Sequence, residues 1–391
     1  KRLRTQCSKD VLKYLKDVMK MIDTIKIVVP FSQRPHWYNK ARLQFQFDAD
    51  SGLVKAVANP SSAYKKMGIY QPRLTYTERP RGLHIKTYEL AIELSLPKLI
   101  YGNNFSELTD ADFPAIVNKI SETLKKTYGI WLFPHQIEQA RVGKIDYSKN
   151  IVFTDYTPVS TIVTNMKMAD ISKVYDVQNT DFKNGGNVYH IHTNSLDVAM
   201  YDKVADLKQE KISPKRSRER DGYTQMSLLD ELEKQKTVTV ARFEVRINGM
   251  KKIRSELIAV ASTAGTSFAE MYSKDLSRKI LLRHWNNVFD RIPKGLLDSD
   301  NAEQLLINIK KANPEIKLRE ALAIVGFQHL ASNNEERYVR NLTESLFSPA
   351  QYRRLRQKSR EPPNATQLKS LIHVTNTLTE MIPVSINDYI L

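Results

Sequence analysis

NVYHIHTNSLDVAMYDKVADL, residues 187–207, decides how the rest of the chain is read. VYHIHT (188–193) and LDVAMYDK (196–203) alternate apolar and polar residues, the period of a half-buried strand. Asn194-Ser195 between them is a turn signal, so the stretch predicts a β-hairpin. Directly opposed residues of an antiparallel pair point to the same face. A two-residue turn therefore places His190, His192, Asp197, Tyr201 and Lys203 on one face. A three-residue turn would put the histidines and the tyrosine on opposite faces.

Working outward, TIKIVVP (24–30), RLTYTER (73–79), LHIKTYELAIELSL (83–96), IEQARVGKIDY (137–147) and TVTVARFEVRIN (237–248) read as strands, the 83–96 run as one bent strand or two. DFPAIVNKISETLKKTYG (112–129) has helical spacing and ends in Gly, and PVSTIVTNMKMADI (158–171) reads as a second helix. Beyond 250 the spacing is helical throughout, over 268–292, 301–312, 317–330, 335–346 and 365–382. The fold class expected is α+β: an antiparallel-rich central sheet with packed helices over 21–250, then an all-helical domain over 251–391. No internal repeat is visible.

The chain of 391 residues is 41% hydrophobic, enough for a sizeable core. Sixty basic against 43 acidic residues give a net charge of +17, a balance that favours a polyanionic partner such as nucleic acid. Cys7 is the single cysteine, so no internal disulfide can form. No run of 18 apolar residues exists, so no membrane partner is expected. Residues 1–20 read as a basic amphipathic helix ahead of a natural starting point at Met21. KISPKRSRER (211–220) lies inside a basic loop, 208–236, with no apolar period.

Three carboxylates fall inside strands: Glu93, Asp146 and Glu244. Strands disfavour acids, and a buried charge must be paired or metal-bound. They read either as ligands or as ion-pair partners of neighbours such as Arg242 and Arg246. The His190-Ile191-His192 tripeptide projects two imidazoles together and can hold a divalent metal, or it is simply part of a sheet. Tyr201 is either packing or a nucleophile. A phenol, with a pKa of about 10, attacks phosphorus only when a cation polarises the phosphate and the phenolate is stabilised. A carboxylate-held Mg2+ or Mn2+ meets the first need. Lys203, two residues on, meets the second.

IELSLPKLIYGNNFSEL (92–108), VGKIDYSKNIVF (142–153), LDVAMYDKVADL (196–207) and VARFEVRINGMKK (240–252), in this order, resemble the successive blocks of phage and plasmid rolling-circle replication initiators. The group most similar is that of the filamentous-phage gene II protein, and the opening MIDTIKIVVPF (21–31) and the tail ALAIVGFQHL (321–330) extend the resemblance. It implies a nickase-like domain that cuts one DNA strand at an origin. The 5′ phosphate would stay on a tyrosine and the 3′ hydroxyl would prime synthesis. Tyr201 matches the nucleophile's position. Asp146 and Glu244 match its acidic positions, and Glu93 matches in a block whose register can shift. The paired histidines imitate a motif of the wider nickase superfamily. There it lies well before a helix that carries the tyrosine, whereas here it lies on the adjacent hairpin strand, which ranks His190 and His192 below the acids.

The same resemblance gives the basic segments a use on DNA. Lys211, Lys215, Arg216, Arg218 and Arg220 follow the tyrosine strand, and Arg353, Arg354 and Arg356 lie in YRRLRQKSR (352–360). It implies a host helicase and polymerase as partners and the cytoplasm of a bacterial cell as the setting. Two other readings stay open: a non-catalytic basic DNA-binding regulator, and a mobilisation relaxase of shared chemistry.

Overall fold

The computed structural model describes most of residues 21–388. Outside the described residues lie 1–20, 206–237, 293–305 and 361–368, with short stretches at 49–50, 65–66, 82–84, 155–158, 176–178, 184–187, 307–308, 310–312, 386–387 and 389–391 and a few single positions. The expected N-terminal helix, the basic loop and most of the 301–312 helix fall there.

Chain order runs β1 (Ile22–Phe31), β2 (Gln44–Asp48), β3 (Leu53–Ala58), β4 (Arg73–Pro80), β5 (Lys86–Ser95), α1 (Leu96–Tyr101), α2 (Phe113–Thr123), β6 (Arg141–Phe153), α3 (Val159–Lys167), β7 (Asn179–Lys183), β8 (Val188–His192), β9 (Leu196–Asp202) and β10 (Thr239–Asn248). Then follow α4 (Met250–Ala259), α5 (Lys274–Phe289), α6 (Leu318–Asn333), α7 (Glu336–Leu346), α8 (Pro349–Arg360) and α9 (Lys369–Glu380). The strands form one 10-stranded sheet in the order β2-β3-β4-β5-β1-β6-β10-β9-β8-β7. Each neighbouring pair is antiparallel.

Alternation sorts the sheet's two faces. Ile25, Ile145, Tyr147, Phe243, Val245, Val198, Met200 and Ile191 are buried on one of them. The core they belong to also takes Ile116 and Ile120 of α2, Ile162 of α3, Ile253 of α4, Trp285 of α5 and Val374 and Leu378 of α9. The Trp285 ring meets Phe243 edge-on with centroids 5.8 Å apart, a favoured aromatic arrangement, and its Nε1 donates to Thr375 Oγ1 at 2.8 Å. The apolar core therefore runs across residue 250. Helices α6 to α8 add smaller clusters, one around Phe327, Val339 and Tyr352.

β6 continues past the expected end at 147 through Ser148, Lys149 and Asn150. Three polar residues in mid-strand are tolerated because each finds a partner. Lys149 is fully buried and donates to Glu107 Oε2 (2.6 Å) and to the Ile382 carbonyl (2.8 Å). Burial pushes its ammonium pKa down, and Glu107 opposes that. Glu107 also accepts from the Asn150 and Val384 backbone N–H groups at 2.6 and 3.0 Å, so one carboxylate ties the C-terminal segment to the sheet.

Removing one partner of a buried ion pair strands the other charge at a cost of about 3–5 kcal/mol. Glu107→Ala should therefore lower the urea-unfolding free energy by about that much. Adding Lys149→Met should recover only the part due to the stranded ammonium, because the Asn150 and Val384 N–H groups stay without their acceptor.

Candidate active site

The hairpin turn holds two residues, as the spacing predicts. Thr193 and Leu196 close it, with Thr193 N donating to the Leu196 carbonyl at 2.9 Å. The Thr193 hydroxyl accepts from Leu196 N at 3.1 Å, a side-chain brace on the same turn. His192 then opposes Asp197, His190 opposes Ala199 and Val188 opposes Tyr201.

Register carries this alignment across the sheet in three rungs. Arg246 stands between Asp146 of β6 and Asp197 of β9. Glu244 stands between Ser148 and Ala199, and Arg242 between Asn150 and Tyr201. All of these side chains share the face opposite the packed helices, because opposed residues point the same way. Ala199, between His190 and Glu244, is the small side chain of the middle rung.

A bulge adds one more acid. Ile22 pairs with Tyr147 but Thr24 pairs with Asp146, so Asp23 is the extra residue of β1. Bulges re-aim side chains. Here Asp23 joins Thr24 on the polar face, where it meets Arg242 Nη2 at 3.1 Å and Ser95 Oγ at 3.4 Å.

The Tyr201 hydroxyl is part-buried and donates to Glu244 Oε2 at 3.2 Å. Arg246 Nη2 donates to the same oxygen at 2.8 Å. Arg242 is buried and also reaches Ser148 Oγ (2.8 Å) and the Asn104 carbonyl (2.7 Å). Burial works to raise the Glu244 pKa, but Arg246, Arg242 and Lys203 overcome it and hold the carboxyl down at about 2. Asp146 behaves oppositely. Burial pushes it up to about 7, with Lys144 at 3.5 Å only partly offsetting this. Among the described residues, its Oδ1 is buried with no hydrogen-bond partner. The two carboxylates thus differ in protonation near neutrality, a separation that proton-handling sites use.

A pocket of about 500 Å³ opens beside these groups, lined by Asp23, Asp146, Asp197, Glu244, His192, Lys144 and Arg246 among others. His190, His192 and Asp197 each offer a ligand atom, and the three atoms lie within 4.8 Å of one another. His192 Nδ1 contacts Asp197 Oδ1, and His190 Nε2 is 4.0 Å from the same oxygen. Two imidazoles and a carboxylate suit first-row transition ions such as Fe2+ or Zn2+ and can accept Mn2+, whereas the carboxylates of Asp146 and Asp23 suit Mg2+ or Mn2+.

Of the residues singled out from the sequence, Tyr201, Glu244, Asp146, His190 and His192 share this face. Lys203 follows β9, is buried, and lies near enough to Glu244 to favour its charge. Glu93 stands at the margin: it pairs with Lys144 at 3.1 Å and does not line the pocket. Arg353 and Arg354 are exposed on α8, whereas Arg356 is turned to Asp170 at 3.7 Å. Lys211, Lys215, Arg216, Arg218 and Arg220 lie outside the described residues. Sequence reasoning misses Asp23, although an acid inside IDTIKIVV carries the same signal as the other three. It reads Asp197 only as a face-mate of the histidines, and Arg242 and Arg246 only as partners for acids.

Residues 21–265 match the Phage CRI family model, which describes the N-terminal part of a replication-associated protein. The chain belongs to that family. This agrees with the resemblance to filamentous-phage gene II initiators and marks the chain as a phage-type replication initiator. No curated protein matches it. Among solved structures, the di-domain ARO/CYC BexL shares 10% identity over 64% of this chain and 79% of its own, with a TM-score of 0.16, too low to bear on the fold. No described helix is long and apolar enough to cross a membrane.

The raised Asp146 pKa has a consequence for stability. A carboxyl whose folded pKa exceeds its unfolded one stabilises at low pH, and that contribution is lost as pH rises through the folded value. In EDTA, Asp146→Asn should therefore gain on wild type between pH 5 and pH 8, by a ceiling of about 3 kcal/mol. Denaturant melts at the two pH values measure it. A fall in relative stability at pH 8 would show that the ionised carboxylate is a structural asset.

Proposed function

We propose that this chain is a site-specific DNA nickase and strand transferase that starts rolling-circle replication through a covalent tyrosine intermediate. The observation that carries the proposal is the Tyr201 hydroxyl, 3.2 Å from Glu244 Oε2 on an open, charged sheet face of a replication-initiator family member.

In this reading Tyr201 Oη attacks the phosphorus of one DNA strand. The new Oη–P bond replaces the P–O3′ bond, and the leaving 3′ oxygen takes up a proton to become the primer hydroxyl. The phosphodiester energy stays in the phosphotyrosine and serves rejoining later. Glu244 orients the phenol by accepting its hydrogen bond. Arg242 and Arg246 are close enough to Tyr201 for its ionised form to stabilise their charges, and that stabilisation is mutual, so they lower the cost of a phenolate. Arg246, with a third of its side chain in solvent, also faces the incoming phosphate. The phenol's proton leaves by way of Glu244 and solvent; Asp146, which titrates near neutrality, stands two strands and four residues from Tyr201, out of its direct reach. His190, His192 and Asp197 would hold a divalent cation. When bound, that cation polarises the scissile phosphate.

Incubated with Mg2+ or Mn2+ and a supercoiled plasmid bearing its origin, the protein should form a covalent 5′ adduct. Tyr201→Phe should form none, and persistence of the adduct in that variant would sink the assignment. Metal ligation is checked separately, without DNA. Titration of Mn2+ followed by the spin resonance of the free ion should show binding weakened about tenfold or more in His190→Ala and Asp197→Asn, the scale seen when a metal site loses a supporting group. Glu93→Gln should bind as wild type, since Glu93 is engaged with Lys144.

A further inference from the structure

Between α2 and β6, residues 130–133, IWLF, run extended and alternating between the left-handed Gly129 and the helical turn Pro134–Glu138. Ile130 and Leu132 point into the core. Trp131 and Phe133 point out, 55% and 66% exposed. The segment is anchored: Ile130 N donates to the Leu124 carbonyl at 3.2 Å, Ser121 Oγ to the Leu132 carbonyl at 2.6 Å, and Phe133 N to Gln136 Oε1 at 2.9 Å. Two large aromatic rings are thus held in water by a fixed backbone, side by side two residues apart. Exposed apolar groups gathered this way mark interaction sites.

The surroundings say what kind of partner fits. Lys125 Nζ lies 3.9 Å from the Trp131 ring centroid. The Phe133 ring stacks on the His135 imidazole, with centroids 5.8 Å apart and planes 12° from parallel. Lys125, Lys126 and Arg42 are exposed nearby, Arg42 through its N–H on the Tyr128 carbonyl. The acids here are Glu122, 3.7 Å from Lys126, and Glu138. Cations thus outnumber acids around the rings. Planar aromatics beside ammonium groups complement unpaired bases and the phosphates that link them. A duplex offers its phosphates but keeps its bases stacked on each other.

We propose that Trp131 and Phe133 form a stacking platform for single-stranded DNA, with Lys125 and Lys126 taking the phosphates. None of these residues lines the carboxylate pocket. The choice of DNA rests on the proposed replication role. The platform itself does not depend on the nicking chemistry, and it gives the strand displaced during replication a second hold away from Tyr201.

Tryptophan emission tests this directly. The chain has three tryptophans, and Trp37 and Trp285 are 2% and 0% exposed, so Trp131 supplies the accessible signal. Oligo-dT of about ten nucleotides, a length within single-strand site sizes, should quench the emission at low salt. A duplex of the same length should quench it little. In anisotropy titrations Trp131→Ala with Phe133→Ala should bind oligo-dT roughly tenfold or more weakly, while Trp131→Phe keeps most of the affinity. Tyr201→Phe should be quenched like wild type, which separates this platform from the nicking reading. Unchanged emission with oligo-dT bound, equal quenching by duplex, or undiminished binding by the double alanine variant each overturns the proposal; the last two would point to the duplex or to a protein surface instead.

Discussion

Two guanidiniums stand on either side of Glu244 along a single strand, and the charge state of the whole polar face turns on them. Burial alone would leave Glu244 neutral. Arg246 and Arg242 keep it ionised, so that it can accept from Tyr201. Asp146, one rung over on β6, is nearly as enclosed, but Lys144 and Arg246 offset its burial only in part, and it holds its proton up to about 7. The same burial therefore yields one permanent anion and one acid that titrates near neutrality. Arg242 is itself held by Asp23, Ser148 and the Asn104 carbonyl, and Arg246 by Glu244, so the two arginines and two acids form one connected network. Buried networks of this kind are fixed only when nearly every member is satisfied.

Much of this is legible in the sequence. The hairpin's alternation and its Asn194-Ser195 turn set the common face of His190, His192 and Tyr201. The β-branched runs at 24–30 and 240–247 are central strands, as their composition suggests. Other parts are hidden for physical reasons. β2 is exposed at every residue, so it shows no buried face to read, and β3, LVKAVA, has a single polar residue and so no alternation. The sequence reading ends the strand at Tyr147, before the polar run Ser148-Lys149-Asn150. Partners at Phe105, Glu107, Arg242 and Ile382 make those polar groups tolerable in a strand. The bulge at Asp23 depends on β6, which lies about 120 residues on, and no local pattern encodes it.

The rule that an acid inside a strand marks a site also meets its limit here. Glu78 of β4 is fully buried, yet it lies far along the sheet, clamped by Arg34 at 2.8 Å through both oxygens and touched by the Tyr76 hydroxyl at 3.1 Å. Its surroundings fully explain it as structure. What separates Asp146 from Glu78 is an oxygen left without a hydrogen bond and an open pocket beside it.

The strand order carries a consequence for how the chain is made. β1 emerges first but sits mid-sheet, with β5 on one edge and β6 on the other. It has no permanent neighbour until residue 86 and no second one until residue 141. The rung that joins Tyr201 to Arg242 waits for residue 242. At ribosomal speeds of about 5–20 residues per second, the opening strand spends several seconds or more with both edges bare. Such edges invite pairing with other chains. The sheet is thus most open to misassociation at β1, and the charged face is complete only once β10 has been made.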